Sequence, residues 1–297
     1  MLLIVILCCA FNSNAQHTYN ANNNLQLHKY QDSLLILSEE TFAAKEDPIR
    51  FEKNTAFVKK FITALKINGS FNYGFDSLKR ISVLKASDNS FRIITWFVPL
   101  NDGTYRYYGT IQMATTDGKL KLFPLNDATH SLVDPNVITD HKNWLGARYY
   151  EMIPMIVNGK QPYFILLGWK GNNLKTSKKV IDVLSFEKNE PVFGKNIFET
   201  AKNSALKNRV IFEYSKQNAM TLIWDKKVNM IVFDHLAPYE PKMTGNFEFY
   251  GSDLSFDAYK LTWGKLSLSE NVPLKNDATT NEDLYKTPKK ASQVIVN

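Results

Sequence analysis

"SFRIITWFVPLNDGTYRYYGTIQM", residues 90–113, reads as two strands and the turn between them. "SFRIITWFV" (90–98) and "TYRYYGTIQM" (104–113) are rich in β-branched and aromatic residues, with a period close to two. Asn101-Asp102-Gly103 separates them, and both Asp and Gly tolerate the positive φ that a tight hairpin turn demands. The pattern continues outward through "GKLKLFPL" (118–125), "ARYYEMIPMIV" (147–157), "QPYFILLGW" (161–169), "KKVIDVLSF" (178–186), "RVIFEYS" (209–215), "MTLIWD" (220–225), "NMIVFDHL" (229–236), "NFEFYG" (246–251) and "AYKLTWGKLSL" (258–268). Asp117-Gly118, Asn158-Gly159 and "DKKVN" punctuate these runs. They predict a mainly β chain of roughly a dozen antiparallel strands joined as meanders.

A curved sandwich or open barrel is the expected architecture, with a small propeller-like stack as the alternative. Trp96, Trp169, Trp224 and Trp263 each end an apolar run, but their spacings shrink from 73 to 55 to 39 residues, so no fixed repeat exists. Strands grouped in fours would make about three blades, whereas closed propellers usually need four or more.

Ahead of the strands the period is helical, from about Leu27 to residue 68. In "RFEKNTAFVKKFITALKI" (50–67) Phe51, Ala56, Phe57, Phe61, Ala64 and Leu65 recur at spacings near three and four, and Gly69 stands where a helix would stop. "SLLILSEETFAAKEDP" predicts a second helix ended by Pro48. The predicted organisation is therefore a leader at 1–15, a flexible polar stretch at 16–26, a helical segment at 27–68, an all-β domain at 69–268 and a polar tail at 269–297.

The leader reading rests on Leu2–Phe11, an apolar run of signal-peptide length, and on Ser13 and Ala15, small residues at −3 and −1 of a cut before Gln16. No Lys or Arg precedes the run. Cys8 and Cys9 are the only cysteines, and Leu7 ahead of Cys8 disfavours lipidation. Cleavage would leave no thiolate for disulfides, nucleophilic catalysis or Cys-ligated metals. Export to the periplasm or cell surface is expected, with no transmembrane segment. A net charge of +7 is scattered in pairs such as Lys59-Lys60 and Lys178-Lys179, which fits a solvated surface better than a nucleic-acid groove.

Asp234 and His235 are adjacent at the end of "MIVFDHL". On a regular strand neighbouring side chains point to opposite faces, so they cannot form the aspartate–imidazole bond of a triad. Asp234 is expected to cap a turn toward Pro238, and His235 to be half-buried and bonded to backbone. His130 and His141 flank a loop that also holds Asp134 and Asp140, a conceivable metal site whose composition is equally that of a solvated loop. No His-Glu-x-x-His, nucleophile elbow or phosphate loop is present; "GWKGNN" reads as a turn, and no cofactor is expected. Glu151, Asp182, Glu213 and Asp234 lie in strands, where an inward carboxylate is expensive unless it has a use. Tyr105, Tyr107, Tyr108, Tyr149 and Tyr150 could form a sugar- or peptide-binding aromatic face. The candidate ligand-binding residues are Asp234, His235, Trp169, Asp182, Tyr149 and Tyr150.

"KKVIDVLSF", "RVIFEYS", "MTLIWD", "MIVFDHLAP" and "FYGSDLSFDAYKL" together resemble a group of uncharacterised exported proteins of Bacteroidota, over about residues 70–265. "DHLAP" is the most specific element. The resemblance implies export and an all-β body, and brings no activity. A non-enzymatic binding or assembly module for a glycan or an envelope protein is the expected function. The rival is a hydrolase of envelope polymers or glycans, which requires two carboxylates roughly 5 to 10 Å apart.

Overall fold

The computed structural model describes residues 2–155, 163–200 and 205–273. The Asn158-Gly159 turn and the predicted tail beyond residue 273 lie outside them. Two helices come first, α1 (Leu2–Ala43) and α2 (Asp47–Leu65). The Asn-rich stretch expected to be irregular is part of α1. Leu27, Gln31, Leu34, Ser38 and Thr41 form a buried stripe at helical spacing, and a helix once nucleated extends at little cost. Pro48 does not end α1; it occupies the first turn of α2, where a missing N–H costs nothing.

Fifteen strands follow among the described residues, in three sheets. The first sheet is a meander of β1 (Ser82–Lys85), β2 (Phe91–Pro99), β3 (Tyr105–Met113) and β4 (Lys121–Asn126). The second holds β5 (Thr139–Asp140), β6 (Arg148–Met155), β7 (Tyr163–Gly171), β8 (Thr176–Glu187) and β9 (Glu190–Phe193). After β10 (Phe198–Glu199), which belongs to the third sheet, β11 (Val210–Ser215) returns to pair with β8. The third sheet is completed by β12 (Leu222–Asp225), β13 (Met230–Pro238), β14 (Tyr250–Thr262) and β15 (Lys265–Ser269).

Alternation along single strands shows how the layers stack. On β2, Ile94 and Trp96 meet the helices, while Phe91 and Ile93 meet the second sheet. Trp96 packs edge-on against Phe57 and Phe61, and its indole N–H donates to the buried Asn54 amide oxygen at 2.9 Å. On β7, Phe164 and Leu166 face the first sheet, and Tyr163, Ile165 and Leu167 face the third. The chain is therefore a stack of helices and three sheets with the second sheet buried on both faces. That is what an unbroken apolar run such as "YFILL" permits, each such side chain contributing about 1.5–3 kcal/mol by burial.

Asp182 stands on β8 in this doubly covered sheet and is wholly inaccessible. Its Oδ1 accepts from Arg209 Nε at 3.1 Å, and its Oδ2 from the Tyr149 hydroxyl at 3.0 Å. Tyr149 accepts in turn from Trp144 Nε1 at 3.0 Å. Three further guanidinium N–H groups donate to the carbonyls of Pro135, Val137 (2.7 Å) and Phe193 (3.2 Å). Asn208 adds two bonds to Asn136, at 2.9 and 2.7 Å. One ion pair thus fixes the loop between β4 and β5 against the middle sheet.

Removing one member strands a buried charge. Asp182→Leu or Arg209→Met is expected to cost about 3–5 kcal/mol, and the double variant less than the sum of the two. Urea unfolding of the three variants checks this; additive single effects would refute a coupled pair.

Candidate functional site

A cavity of about 620 Å³ opens where the loop held by Arg209 meets the start of β3, the β7–β8 turn, β11 and the 3₁₀ turn Phe247–Phe249. Its aromatic wall is Tyr105, Tyr107 and Phe247; Leu132, Pro135, Leu145 and Ile211 add apolar surface. Thr104, Thr129, Asn172 and Asn173 supply hydroxyls and amides, and Lys170, Lys178, Glu213 and His130 are the ionisable groups.

Lys170 follows Trp169 on β7 and is almost wholly buried. Its Nζ donates to Thr129 Oγ1 at 2.7 Å and to the Gly146 carbonyl at 2.6 Å, and lies 4.6 Å from the Tyr107 ring centre. Thr129 donates onward to Asp127, which also accepts the Tyr107 N–H at 2.9 Å. Burial is the main influence on the lysine and lowers its pKa to about 7, against the opposing pull of the Asp127 charge. A neutral amine retains two N–H groups, enough for both acceptors. Close packing explains the two glycines here: a β-carbon on Gly171 would overlap the Tyr105 ring, and one on Gly146 would strike Asp127 and Tyr107.

Glu213, from β11, is tied in place on the same face of the second sheet, two strands from Lys170. Its Oε1 accepts from Asn172 Nδ2 at 2.9 Å and Thr176 Oγ1 at 2.7 Å, and its Oε2 pairs with Lys178 Nζ at 3.1 Å. Lys178 and Glu213 are direct cross-strand partners in the β8–β11 register. The cavity therefore joins a ring wall to a set of oriented donors and acceptors, a combination that can bind hydroxyl-rich molecules.

The residues singled out from sequence scatter. Asp182 and Tyr149 come together, in the buried network and not in the cavity. Tyr150 donates to the Leu222 carbonyl at 2.8 Å, with Lys179 Nζ 5.4 Å from its ring centre. Trp169 packs on Phe97 and Tyr105, with centroids 4.8 and 5.2 Å away. Asp234 accepts the Thr221 N–H at 2.6 Å, closing the end of the β12–β13 pair. His235 departs from expectation. Its Nδ1 is 2.8 Å from Asp257 Oδ2, a carboxylate and not a backbone group. The cause is a register irregularity: Asp234 pairs with Phe256 and Leu236 with Ser252, so His235 alone stands opposite Asp253, Leu254 and Ser255.

The loop histidines also part. His130 lines the cavity, while His141 Nδ1 meets the Pro124 carbonyl at 2.9 Å. Asp134 and Asp140 accept backbone N–H groups of their own turns. Among the described residues no cluster of three or more His, Cys, Asp or Glu is placed to hold a metal. Lys170 was missed because "GWKGNN" reads as a turn. Its signal was a lysine at the end of an otherwise apolar strand. Comparison with known proteins gives no match to a family model, a curated protein or a solved structure.

Two pH dependences follow. With the folded pKa of Lys170 near 7 and an unfolded value of about 10.4, the unfolded chain binds more protons between them, so this lysine makes stability rise with pH across that window. Lys170→Met removes that slope. Relative to wild type the variant should be more favourable at about pH 6 than at about pH 9, and an equal difference in thermal midpoint at both would refute the assignment.

His235 behaves oppositely: the hydrogen bond to Asp257 raises its pKa, outweighing partial burial. Its stabilisation is fully present below the ordinary histidine value and fades as pH rises through the raised one. His235→Gln should therefore lower the thermal midpoint more at about pH 5.5 than at about pH 8.5.

Proposed function

We propose that this chain is a non-enzymatic, exported binding module whose ligand is a small hydroxyl-rich molecule of the sugar class. The observation that carries this reading is the composition of the cavity wall. Tyr105 and Phe247 offer ring surface to apolar C–H groups, and Asn172, Asn173, Thr129 and the Lys178–Glu213 pair offer directional hydrogen bonds. Export is supported by the apolar run Leu2–Phe11 and the small residues Ser13 and Ala15 after it. Among the described residues, no helix is long and apolar enough to cross a membrane.

A glycosidase would need a second carboxylate near the first. Glu213 is the only one in the cavity lining among the described residues. It faces Lys178, four residues along β8 from Asp182, a separation of about 13 Å at the strand rise. Asp182 is also committed to Arg209, and Asp234 belongs to the third sheet. These placements support binding over hydrolysis.

The test is thermal unfolding against a panel of mono- and disaccharides, followed by calorimetry on any sugar that shifts the midpoint. A sugar at a hundred times its dissociation constant should add roughly 2.7 kcal/mol, a shift of several degrees. Glu213→Gln and Phe247→Ala should each weaken that sugar about tenfold or more. A panel without a shift, or affinity unchanged in both variants, would overturn the reading.

A further inference from the structure

A second recess of about 270 Å³ lies on the far side of Trp169, lined by Phe42, Lys79, Arg80, Phe97, Arg148 and Trp169. Three rings and three cations meet there, and among the described residues no carboxylate is in the lining. Among the described residues, two of the three cations have no acid partner. Arg80 is neutralised by Glu39 through two bonds of 3.0 and 2.7 Å, and its guanidinium covers the Phe42 ring at 4.2 Å. Arg148 is half-buried at the start of β6, and among the described residues its one hydrogen bond runs from Nη2 to the Lys79 carbonyl at 3.2 Å. A guanidinium carries five N–H donors and stays charged throughout the ordinary pH range, so four remain for another acceptor. Lys79 is exposed beside it, and no ion pair is formed by it among the described residues.

We infer that this recess binds an aromatic anion: a flat ring bearing a carboxylate, phosphate or sulfate. The ring lies against Phe42, Phe97 and Trp169, and the charged group takes the free N–H donors of Arg148 with Lys79 as a second cation. Both features are needed. A surplus of positive charge alone attracts any anion weakly in water, and ring faces alone select no charge. A bidentate contact to a half-buried arginine favours an acid group over a neutral polar one. The inference does not depend on the sugar-binding reading, because Trp169 and Tyr105 separate the two recesses and no described residue lines both.

Calorimetric titration of the full chain with phenyl phosphate and with benzoate tests it, with inorganic phosphate and benzyl alcohol as the two halves of the ligand. At least one aromatic anion should bind one to one and at least about tenfold more tightly than either half. Quenching of tryptophan emission should accompany binding and disappear in Trp169→Phe. Arg148→Gln should weaken the complex about tenfold or more. The exposed Lys79→Gln, which leaves the core untouched, should weaken it less and blunt its salt dependence. No saturable binding of either aromatic anion overturns the proposal. So does inorganic phosphate or benzyl alcohol binding as tightly as the aromatic anion, or affinity unchanged in both charge variants.

Discussion

The buried ion pair between Asp182 and Arg209 is the constraint from which the rest of the arrangement follows. The middle sheet is covered on both faces, so a charged side chain inside it is costly unless it is paired and hydrogen-bonded within the protein. Desolvating two charges costs several kcal/mol each, and only good geometry with further hydrogen bonds offsets it. Both conditions hold. Asp182 accepts from Arg209, Tyr149 and the Val183 backbone, and Arg209 gives three further donors to Pro135, Val137 and Phe193. Two of the acceptors, Pro135 and Val137, are carbonyls of the irregular segment before β5, so the ion pair gives order to chain that has no ladder of its own. Pro135 lines the cavity, as do Leu132 and His130 of the same loop. The wall of the site is positioned by a charge pair that never touches its contents.

Lys170 shows the same economy at the edge of the sheet. Its stem runs through a doubly covered layer and its amine reaches the cavity wall, where Thr129 and Gly146 receive it. Burial lowers the charge it can carry near neutral pH, and Glu213, two strands away on the same face, is paired with Lys178. The cavity consequently presents hydrogen bonds more than net charge. On the far side of the Trp169–Tyr105 partition the balance is reversed, since Arg148 stays charged and, among the described residues, carboxylates are lacking from the lining. One stack of sheets thus supports two recesses with different electrostatic character.

Much of this was legible in the sequence. Alternation and the Asp-Gly turns give the strands and their meander order, and strand geometry forbids the Asp234–His235 bond that adjacency invites. An inward carboxylate was marked as needing a use, and Asp182 has one. Its partner was not legible, because Arg209 lies 27 residues away and meets it through sheet pairing. His235 was misread for a related reason: its acceptor depends on two extra residues in β14 between Ser252 and Phe256, and a register slip leaves no mark in composition. The choice among sandwich, barrel and blades was also beyond reach. It turns on whether each strand buries one face or two. "YFILL" hints at two, but such a run does not say which sheet lies on which side.

Double burial also bears on where function can reside in this architecture. A sheet with one wet face can display polar groups anywhere along it. A sheet covered on both faces can do so only where a strand runs out from between its neighbours. β7 emerges at Gly168–Gly171, and it is there that Trp169 and Lys170 turn toward separate recesses. The two glycines let the strand end pass close to Tyr149 and Tyr105, since a β-carbon at either would collide with those rings. The chemistry is concentrated at that exit because it is where a buried strand meets solvent while its backbone remains held by the sheet. That combination gives the recesses fixed walls without the cost of opening the core, and it sets the end of β7 apart from Asp182, whose polarity is spent wholly on structure.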